Sequence, residues 1–195
     1  MASRALTIWR TDSSDKLEEL ITAHASVGGI ARGRRYATEQ INASLVVQLA
    51  AHFQLFCRDL HTDAADVLVT AAPASYRSML QVAFTERRGL DRGNASVRTI
   101  ASDFERLDLD LWAEVAAISS HAAMRRTRLE QLMAWRNAIA HQDFAFSAQQ
   151  QVLLAETDLT LAWVRRWRGA CNGLAQAFDK VVATHVTTIA GRPPW

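Results

Sequence analysis

The sequence predicts an all-α protein, a single bundle of five to seven helices, and three observations support this prediction. Alanine is abundant and β-branched residues form only short runs, which favours helix over strand. Long segments without proline or glycine carry apolar residues three and four positions apart, the spacing of an amphipathic helix. The chain has 195 residues, the length of one domain, and its sequence contains no linker or internal repeat. We therefore expect one domain over residues 1–195.

Seven segments have the helical pattern. Their approximate ranges, in chain order, are 14–28, 36–60, 75–88, 95–107, 111–119, 122–141 and 158–187. The second is long and amphipathic, with Ala50, Phe53 and Phe56 on its apolar face. Leu129 and Leu132 belong to the apolar stripe of the sixth, and we expect these five side chains to meet in the core. The segments 142–151 and 192–195 lack periodicity and are predicted as a loop and a non-helical tail.

The boundaries between these segments follow from N-capping residues and helix breakers. N-capping side chains stand at Asp12–Ser14 for the first helix, Thr62-Asp63 for a short turn after the second, Asn94 for the fourth and Thr157-Asp158 for the last. Gly28-Gly29 stops the first helix, Pro73 precedes the third, and the region of Gly89 and Gly93 ends it.

Composition excludes several classes of protein. A net charge of +2, from 22 basic and 20 acidic residues, is too small for a histone-like or polybasic chain. No apolar stretch approaches the ~18–20 residues of a membrane span, and residues 1–10 lack the apolar core of a signal peptide. Cys57 and Cys171 lie in separate helical patterns, which favours reduced thiols over a lone disulfide. We expect a cytoplasmic protein that does not contact a membrane.

Three local patterns resemble chemical sites but favour a structural role. Gly28–Arg35 contains two glycines separated by four residues, yet Arg34 and Arg35 stand where a phosphate-binding loop needs Lys and Ser or Thr, so we expect an interhelical loop. Cys57 and His61 share a helix face, but nothing else suggests a thiolate nucleophile, so we expect a packed cysteine beside an exposed histidine. The six histidines lack the spacing of a helical zinc site. We predict no metal and no cofactor.

Arg136, Asn137 and His141 place a permanent cation, an amide and an imidazole near the end of one predicted helix. At ~100° per residue, Asn137 and His141 are about 40° apart on one face, while Arg136 and His141 are roughly 140° apart. The arginine and the histidine converge only through the length of the arginine side chain or through unwinding near His141. The structural alternative is a surface asparagine with two basic residues near a helix C-terminus, where cations are favoured.

At these residues the sequence resembles the HEPN superfamily, whose signature is an arginine, a polar residue and a histidine four to six positions after the arginine. The segment 129–141 is similar to the signature helix of that family, including the Arg-Asn pair and the Ile-Ala-His ending. A weaker resemblance covers 51–56 in the long early helix, the long last helix and the proline-containing end. Many relatives have Glu in the place of Gln54, so this chain lacks an acidic partner at that supporting position.

The resemblance implies a homodimer that cleaves RNA without a metal, with its signature helices near a shared cleft. Many such proteins are toxins in toxin–antitoxin or phage-defence systems. The implied partners are therefore an RNA substrate, a second copy of the chain and an antitoxin protein. The residue types are consistent with this chemistry: His141 is the proton-transfer group, Arg136 stabilises charge on the phosphate, and Asn137 orients His141 or the phosphate.

Alternatives stay open at the level of the sequence. Arg125, Arg126 and Arg128 precede the signature on the same helix, and they either extend a phosphate track for RNA or form a solvated basic turn. The whole chain is alternatively a non-catalytic helical module that binds RNA or a partner protein. A third possibility is an antitoxin-regulated toxin whose histidine region is a target of modification.

Overall fold

The computed structural model of the chain describes residues 1–28, 36–154 and 158–195. The loop predicted over Gly28–Arg35 lies outside these ranges except for Gly28, the last residue of a helix, and the predicted cap at Thr157 lies outside them as well. Within them the chain is helical and contains no strand, which confirms the all-α prediction. The α-helical segments are α1 (Arg4–Ile8), α2 (Ser14–Gly28), α3 (Tyr36–Ala71), α4 (Arg77–Thr85), α5 (Val97–Glu105), α6 (Leu111–Ile118), α7 (Ala122–His141), α8 (Ala148–Leu154) and α9 (Leu161–Ala190).

A π-helical turn over Trp9–Ser13 joins α1 and α2 into one helix, so the nine α-helical segments make eight helices in the described ranges. The prediction of five to seven helices is therefore too low by one. The additional helix is α8, which falls in the segment predicted as a loop. Ser147 Oγ accepts from the backbone N–H of Gln150 at 3.3 Å, and the Gln150 side chain accepts from the N–H of Ser147 at 2.9 Å. This reciprocal capping box starts a helix too short to show apolar periodicity.

The first helix starts earlier than predicted, because Ser3 caps it. Ser3 Oγ accepts a backbone N–H of the first turn at 3.0 Å, and the N–H of Ser3 donates to the Asp179 carboxylate on α9 at 3.0 Å. The segment Asp12–Ser14 is therefore not an N-cap and lies inside the continuous helix. On the π turn, the buried ring of Trp9 lies 5.7 Å from that of Phe53. This contact fixes the helix against α3.

The helix α3 runs to Ala71, beyond its predicted end at Leu60. Thr62 and Asp63 do not cap a turn there. The Thr62 hydroxyl donates to a backbone oxygen one turn earlier at 2.9 Å, and the Asp63 carboxylate accepts a backbone N–H of α1 at 3.4 Å. The helix ends shortly before Pro73, as predicted, since proline lacks the N–H that continues a helix.

Two further caps differ from the prediction by a few residues. Ser96, rather than Asn94, caps α5, and its Oγ accepts from the N–H of Thr99 at 3.1 Å. Thr160, rather than Asp158, caps α9 through a 3.4 Å hydrogen bond from the N–H of its third residue. The Asn94 side chain therefore has no role in starting a helix.

The three helices α3, α7 and α9 pack together and enclose most of the core. The five side chains predicted to meet there are all buried, which confirms the prediction: Ala50, Phe53, Phe56, Leu129 and Leu132. The Phe53 ring lies 6.2 Å from that of Phe178 on α9. None of the described helices is long and apolar enough to cross a membrane.

Cys57 on α3 and Cys171 on α9 are both fully buried, and neither forms a disulfide. Burial raises the pKa of both thiols, since the thiolate loses its hydration in the core. The two cysteines therefore behave as small apolar core residues rather than as nucleophiles.

Candidate functional site

The C-terminal end of α7 presents the signature residues at the surface. Trp135 and Ala138 are buried and anchor this end of the helix, whereas Asn137 and His141 are exposed. The helix ends at His141 because Gln142 adopts a left-handed conformation with φ 54°. The signature residues Asn137 and His141 therefore lie at an exposed helix terminus rather than inside the bundle.

Arg136 and Asn137 are in direct contact. Arg136 is half-buried, and one guanidinium N–H donates to Oδ1 of Asn137 at 3.3 Å. The same oxygen accepts a second hydrogen bond, from Nδ2 of Asn94 at 2.5 Å. Both lone pairs of this oxygen are thus used, and the amide hydrogens of Asn137 have no acceptor among the described residues. They are available to donate to a ligand.

His141 is exposed and makes no hydrogen bond with any residue that the structure describes. It lies four residues beyond Asn137 and about 40° further around the helix axis, so the two side chains share one face. The structure therefore brings Arg136 and Asn137 together and leaves the His141 imidazole exposed on the same face as Asn137. It shows no hydrogen bond between Arg136 and His141.

Gln54 does not reach the signature residues. Its Nε2 donates to the backbone oxygen of Leu90 at 2.8 Å, on a short 3-10 turn over Gly89–Asp91. Asn94 lies three residues after the end of this turn and contacts Asn137. Gln54 therefore bears on the signature only through the loop that carries Asn94.

The Arg125 side chain forms hydrogen bonds within the bundle. Its guanidinium donates to Ser119 Oγ at 3.3 Å and to the backbone oxygen of Gly173 on α9 at 3.4 Å. A side chain at position 173 would overlap this guanidinium, so the glycine makes room for it. Arg125 thus contributes to packing between α7 and α9, about 16 Å along the helix from Arg136.

Arg126 and Arg128 also have partners within the chain. Arg126 lies 3.6 Å from the Glu130 carboxylate and 5.6 Å from the centre of the Trp112 ring. Arg128 lies 4.6 Å from the centre of the Trp163 ring and donates to Gln131 at 3.2 Å. Of the three arginines predicted to contact RNA, Arg126 alone is exposed, with half of its side-chain surface accessible.

The prediction for His61 is wrong, because this histidine is fully buried. Its Nε2 lies 2.9 Å from the backbone oxygen of Asp103, and its Nδ1 lies 3.2 Å from the Arg88 guanidinium. Burial and the nearby Arg88 charge lower its pKa to about 4. The buried Cys57 thiol is not among its hydrogen-bond partners, so the pair is no thiolate–imidazole site.

A cavity of about 740 Å³ lies on another side of α7, between this helix, the start of α3 and the segment before α8. Three aromatic rings line it, those of Trp135, Phe144 and Phe146, and neither Asn137 nor His141 does. The rings of Trp135 and Phe146 are 5.2 Å apart. Sequence periodicity gives no signal for this cavity, since Phe144 and Phe146 belong to a segment without helical pattern.

Within the described part of the chain, no group of three or more His, Cys, Asp or Glu side chains is arranged to hold a metal ion. No protein-family model, curated protein or solved structure matches this sequence. The resemblance to the HEPN superfamily therefore depends on the residues of the signature helix and on the order of the helices around it.

Proposed function

We propose that the protein is an endoribonuclease of the HEPN type that cleaves RNA without a metal. The observation that carries the proposal is the exposed end of α7. There a fixed cation, Arg136, contacts the amide of Asn137, and the imidazole of His141, which bonds to none of the described residues, lies on the same exposed face as that amide. These groups supply charge stabilisation, orientation and proton transfer, which are the requirements of metal-free RNA cleavage.

The reaction uses the RNA's own 2′-hydroxyl as the nucleophile. Its oxygen attacks the adjacent phosphorus, the bond from phosphorus to the 5′ oxygen breaks, and the products carry a 2′,3′-cyclic phosphate and a 5′-hydroxyl. A base takes the proton of the 2′-hydroxyl and an acid delivers one to the leaving oxygen, the two roles proposed for His141. Arg136 stabilises the charge that grows on the phosphate oxygens, and the Asn137 amide hydrogens donate to the same group.

One histidine in each chain provides only one of these two proton-transfer groups at a time. A twofold dimer in which the ends of two α7 helices face each other brings two copies of His141 and two of Arg136 into one cleft. In support, the His141 face is exposed, and His141 does not line the aromatic cavity. We therefore include a homodimer with its active site at the interface in the proposal.

The cellular role rests on the resemblance alone. It leads us to propose a cytoplasmic toxin of a toxin–antitoxin pair or a phage-defence effector, with an antitoxin protein as partner.

A second candidate function is a non-catalytic helical module that binds RNA or protein. The aromatic cavity beside Trp135 favours it, because its three aromatic rings can pack against an RNA base or a side chain of a partner, and His141 does not line it. In this case the signature residues stabilise the C-terminal end of α7 and catalyse no reaction.

Incubation of the purified protein with total RNA in EDTA separates the two candidates. The proposed enzyme degrades the RNA, and the double variant Arg136→Ala/His141→Ala does not. If the wild type leaves RNA intact over a wide range of RNAs and enzyme concentrations, the catalytic proposal is wrong and the binding module is favoured.

A further inference from the structure

We infer that Asn94 is a positioning residue of the α7 site, acting on the substrate through Asn137; this inference rests on the proposed ribonuclease function. The Nδ2 of Asn94 lies 2.5 Å from Oδ1 of Asn137, across 43 residues of sequence. Nothing in the signature pattern includes residue 94, which lies in the loop before α5.

The loop that carries Asn94 is held by a dense set of hydrogen bonds. The Asp103 carboxylate on α5, itself buried, accepts the backbone N–H groups of Gly89 at 2.9 Å and Leu90 at 2.8 Å. Gln54 on α3 donates to the backbone oxygen of Leu90 at 2.8 Å. Buried polar groups that are fully paired in this way rigidify the backbone around them. The backbone leading to Asn94 is therefore tied to both α3 and α5.

Arg88 and Gly89 add to this rigidity at the start of the loop. Arg88 is buried and forms two hydrogen bonds with the Asp91 carboxylate, both at 3.1 Å. A side chain at Gly89 would come within 2.8 Å of the Thr99 methyl group, so the backbone there packs directly on α5. These contacts, none of which involves a residue of α7, hold the start of the loop that carries Asn94.

The contacts with Arg136 and Asn94 together determine which end of the Asn137 amide faces outward. An asparagine amide has one oxygen that accepts and one nitrogen that donates, and rotation by half a turn exchanges them. Because Asn94 and Arg136 both donate to the oxygen, the nitrogen of Asn137 is left to point toward a ligand. A phosphate oxygen needs a donor, so this orientation suits RNA. Removal of Asn94 leaves only the 3.3 Å hydrogen bond from Arg136 to hold the amide, which then rotates more often to the unproductive arrangement.

The test is a double-mutant cycle on the rate of RNA cleavage in EDTA. We expect Asn94→Ala to lower kcat by roughly three- to tenfold, the effect of one neutral hydrogen bond. Asn94→Asp keeps the size of the side chain but cannot donate when ionised, and we expect a similar loss. In the Asn137→Ala background, Asn94→Ala should cause no further change, because its effect passes through Asn137. A residue that only stabilises the loop would slow both backgrounds equally.

Gln48→Ala is the matched control, since Gln48 is exposed on α3 and lies in no part of the site. Measurement of the thermal melting temperature of each variant ensures that cleavage rates are compared between folded proteins. Two outcomes overturn the Asn94 inference while the ribonuclease proposal stands, provided that the wild type cleaves RNA. In one, Asn94→Ala and Asn94→Asp cleave at the wild-type rate. In the other, the fold-losses of Asn94→Ala and Asn137→Ala multiply in the double variant. If the wild type itself does not cleave RNA, both are overturned.

Discussion

The Arg88 guanidinium donates to Nδ1 of the buried His61 at 3.2 Å, and this contact defines the protonation state of the histidine. With Nδ1 as the acceptor, the ring proton is on Nε2, which donates to the backbone oxygen of Asp103 at 2.9 Å. A second ring proton would face the positive charge of Arg88 without water. Burial first, and Arg88 second, therefore lower the pKa of His61 to about 4.

The first prediction is that stability falls in mild acid. Because the folded-state pKa of His61 is about 4 and the unfolded value is 6.5, the unfolded state binds a proton first as the pH falls below 6.5. Protonation of His61 in the unfolded state causes no loss of unfolding free energy above pH 6.5. The loss grows as the pH falls from 6.5 to 4, and it is about 2 kcal/mol at pH 5. Urea denaturation at pH 7.5 and pH 5 measures it.

His61→Gln provides the comparison for this prediction, since glutamine does not titrate. It should unfold more easily than the wild type at pH 7.5 but lose less stability between pH 7.5 and pH 5. His121→Gln, an exposed histidine before α7, should keep the wild-type pH dependence. Equal losses for His61→Gln and the wild type would show that His61 is not the group responsible.

The second prediction concerns the basic turn of α7. Arg126 has half of its side-chain surface exposed, whereas Arg125 bonds to the backbone of α9. If the turn lies on the path of RNA, Arg126→Ala should reduce the slope of log affinity against log salt by about 0.7, the value for one phosphate contact on a single strand. Arg125→Ala should instead lower stability by about 1–2 kcal/mol, because it removes hydrogen bonds and packing.

Fluorescence anisotropy at several salt concentrations measures the slope, with His141→Ala as the background to prevent cleavage. Arg165→Ala, which removes an exposed arginine on α9, is the matched control. An unchanged slope for Arg126→Ala would place the RNA path away from this turn.

Much of the fold follows from local patterns in the sequence. The range of α7 and its buried Leu129 and Leu132 are predicted because a helix with one buried face must repeat apolar residues every three or four positions. Burial of His61 is not predictable in this way. The groups that satisfy its ring, on Arg88 and Asp103, are 27 and 42 residues away. Likewise, α3 continues past Thr62 because tertiary contacts override a local capping preference.

In the candidate site, too, the features that helix geometry fixes are predictable from the sequence, and those that depend on tertiary packing are not. The spacing in α7 is sufficient to place Asn137 and His141 on one face, because helix geometry fixes that relation. The contact of Asn94 with Asn137 depends on how a loop packs, and the capping chemistry of Asn94 predicts a different role. Helical spacing likewise does not predict the partners of Arg125 and Arg128 on α9.

The third prediction is that the active form is a dimer. Sedimentation velocity should show two copies of the chain at the concentrations at which RNA is cleaved. Mixing Arg136→Ala chains with His141→Ala chains should restore part of the activity, because a mixed dimer contains one Arg136 and one His141, whereas each parent dimer lacks one of them entirely. The second His141 is still missing from the mixed dimer, so the rescue should be incomplete. A chain that stays monomeric while it cleaves RNA would rule out the shared site.

The fourth prediction ranks the residues of the site by their effect on cleavage. His141→Ala should lower kcat by about 10²–10⁴-fold, the usual contribution of proton transfer. Arg136→Ala should lower it by about 10²–10³-fold if the guanidinium stabilises charge in the transition state. Asn137→Ala should cost less, because it removes one neutral donor. Single-turnover cleavage of a short RNA in EDTA measures these rates, and mass spectrometry of the products should find 2′,3′-cyclic phosphate ends.

The ranking depends on matched controls, because the variants lie at a helix end that the buried Trp135 anchors in the core. His121→Ala and Arg165→Ala remove the same side-chain types from exposed positions elsewhere and should cleave at the wild-type rate. Circular dichroism should give the same helical signal for all variants, since none of the substituted side chains is buried in the core. If His141→Ala cleaves RNA as fast as the wild type, the activity comes from a contaminant or from another part of the chain. The assignment of ribonuclease chemistry to the end of α7 would then be wrong.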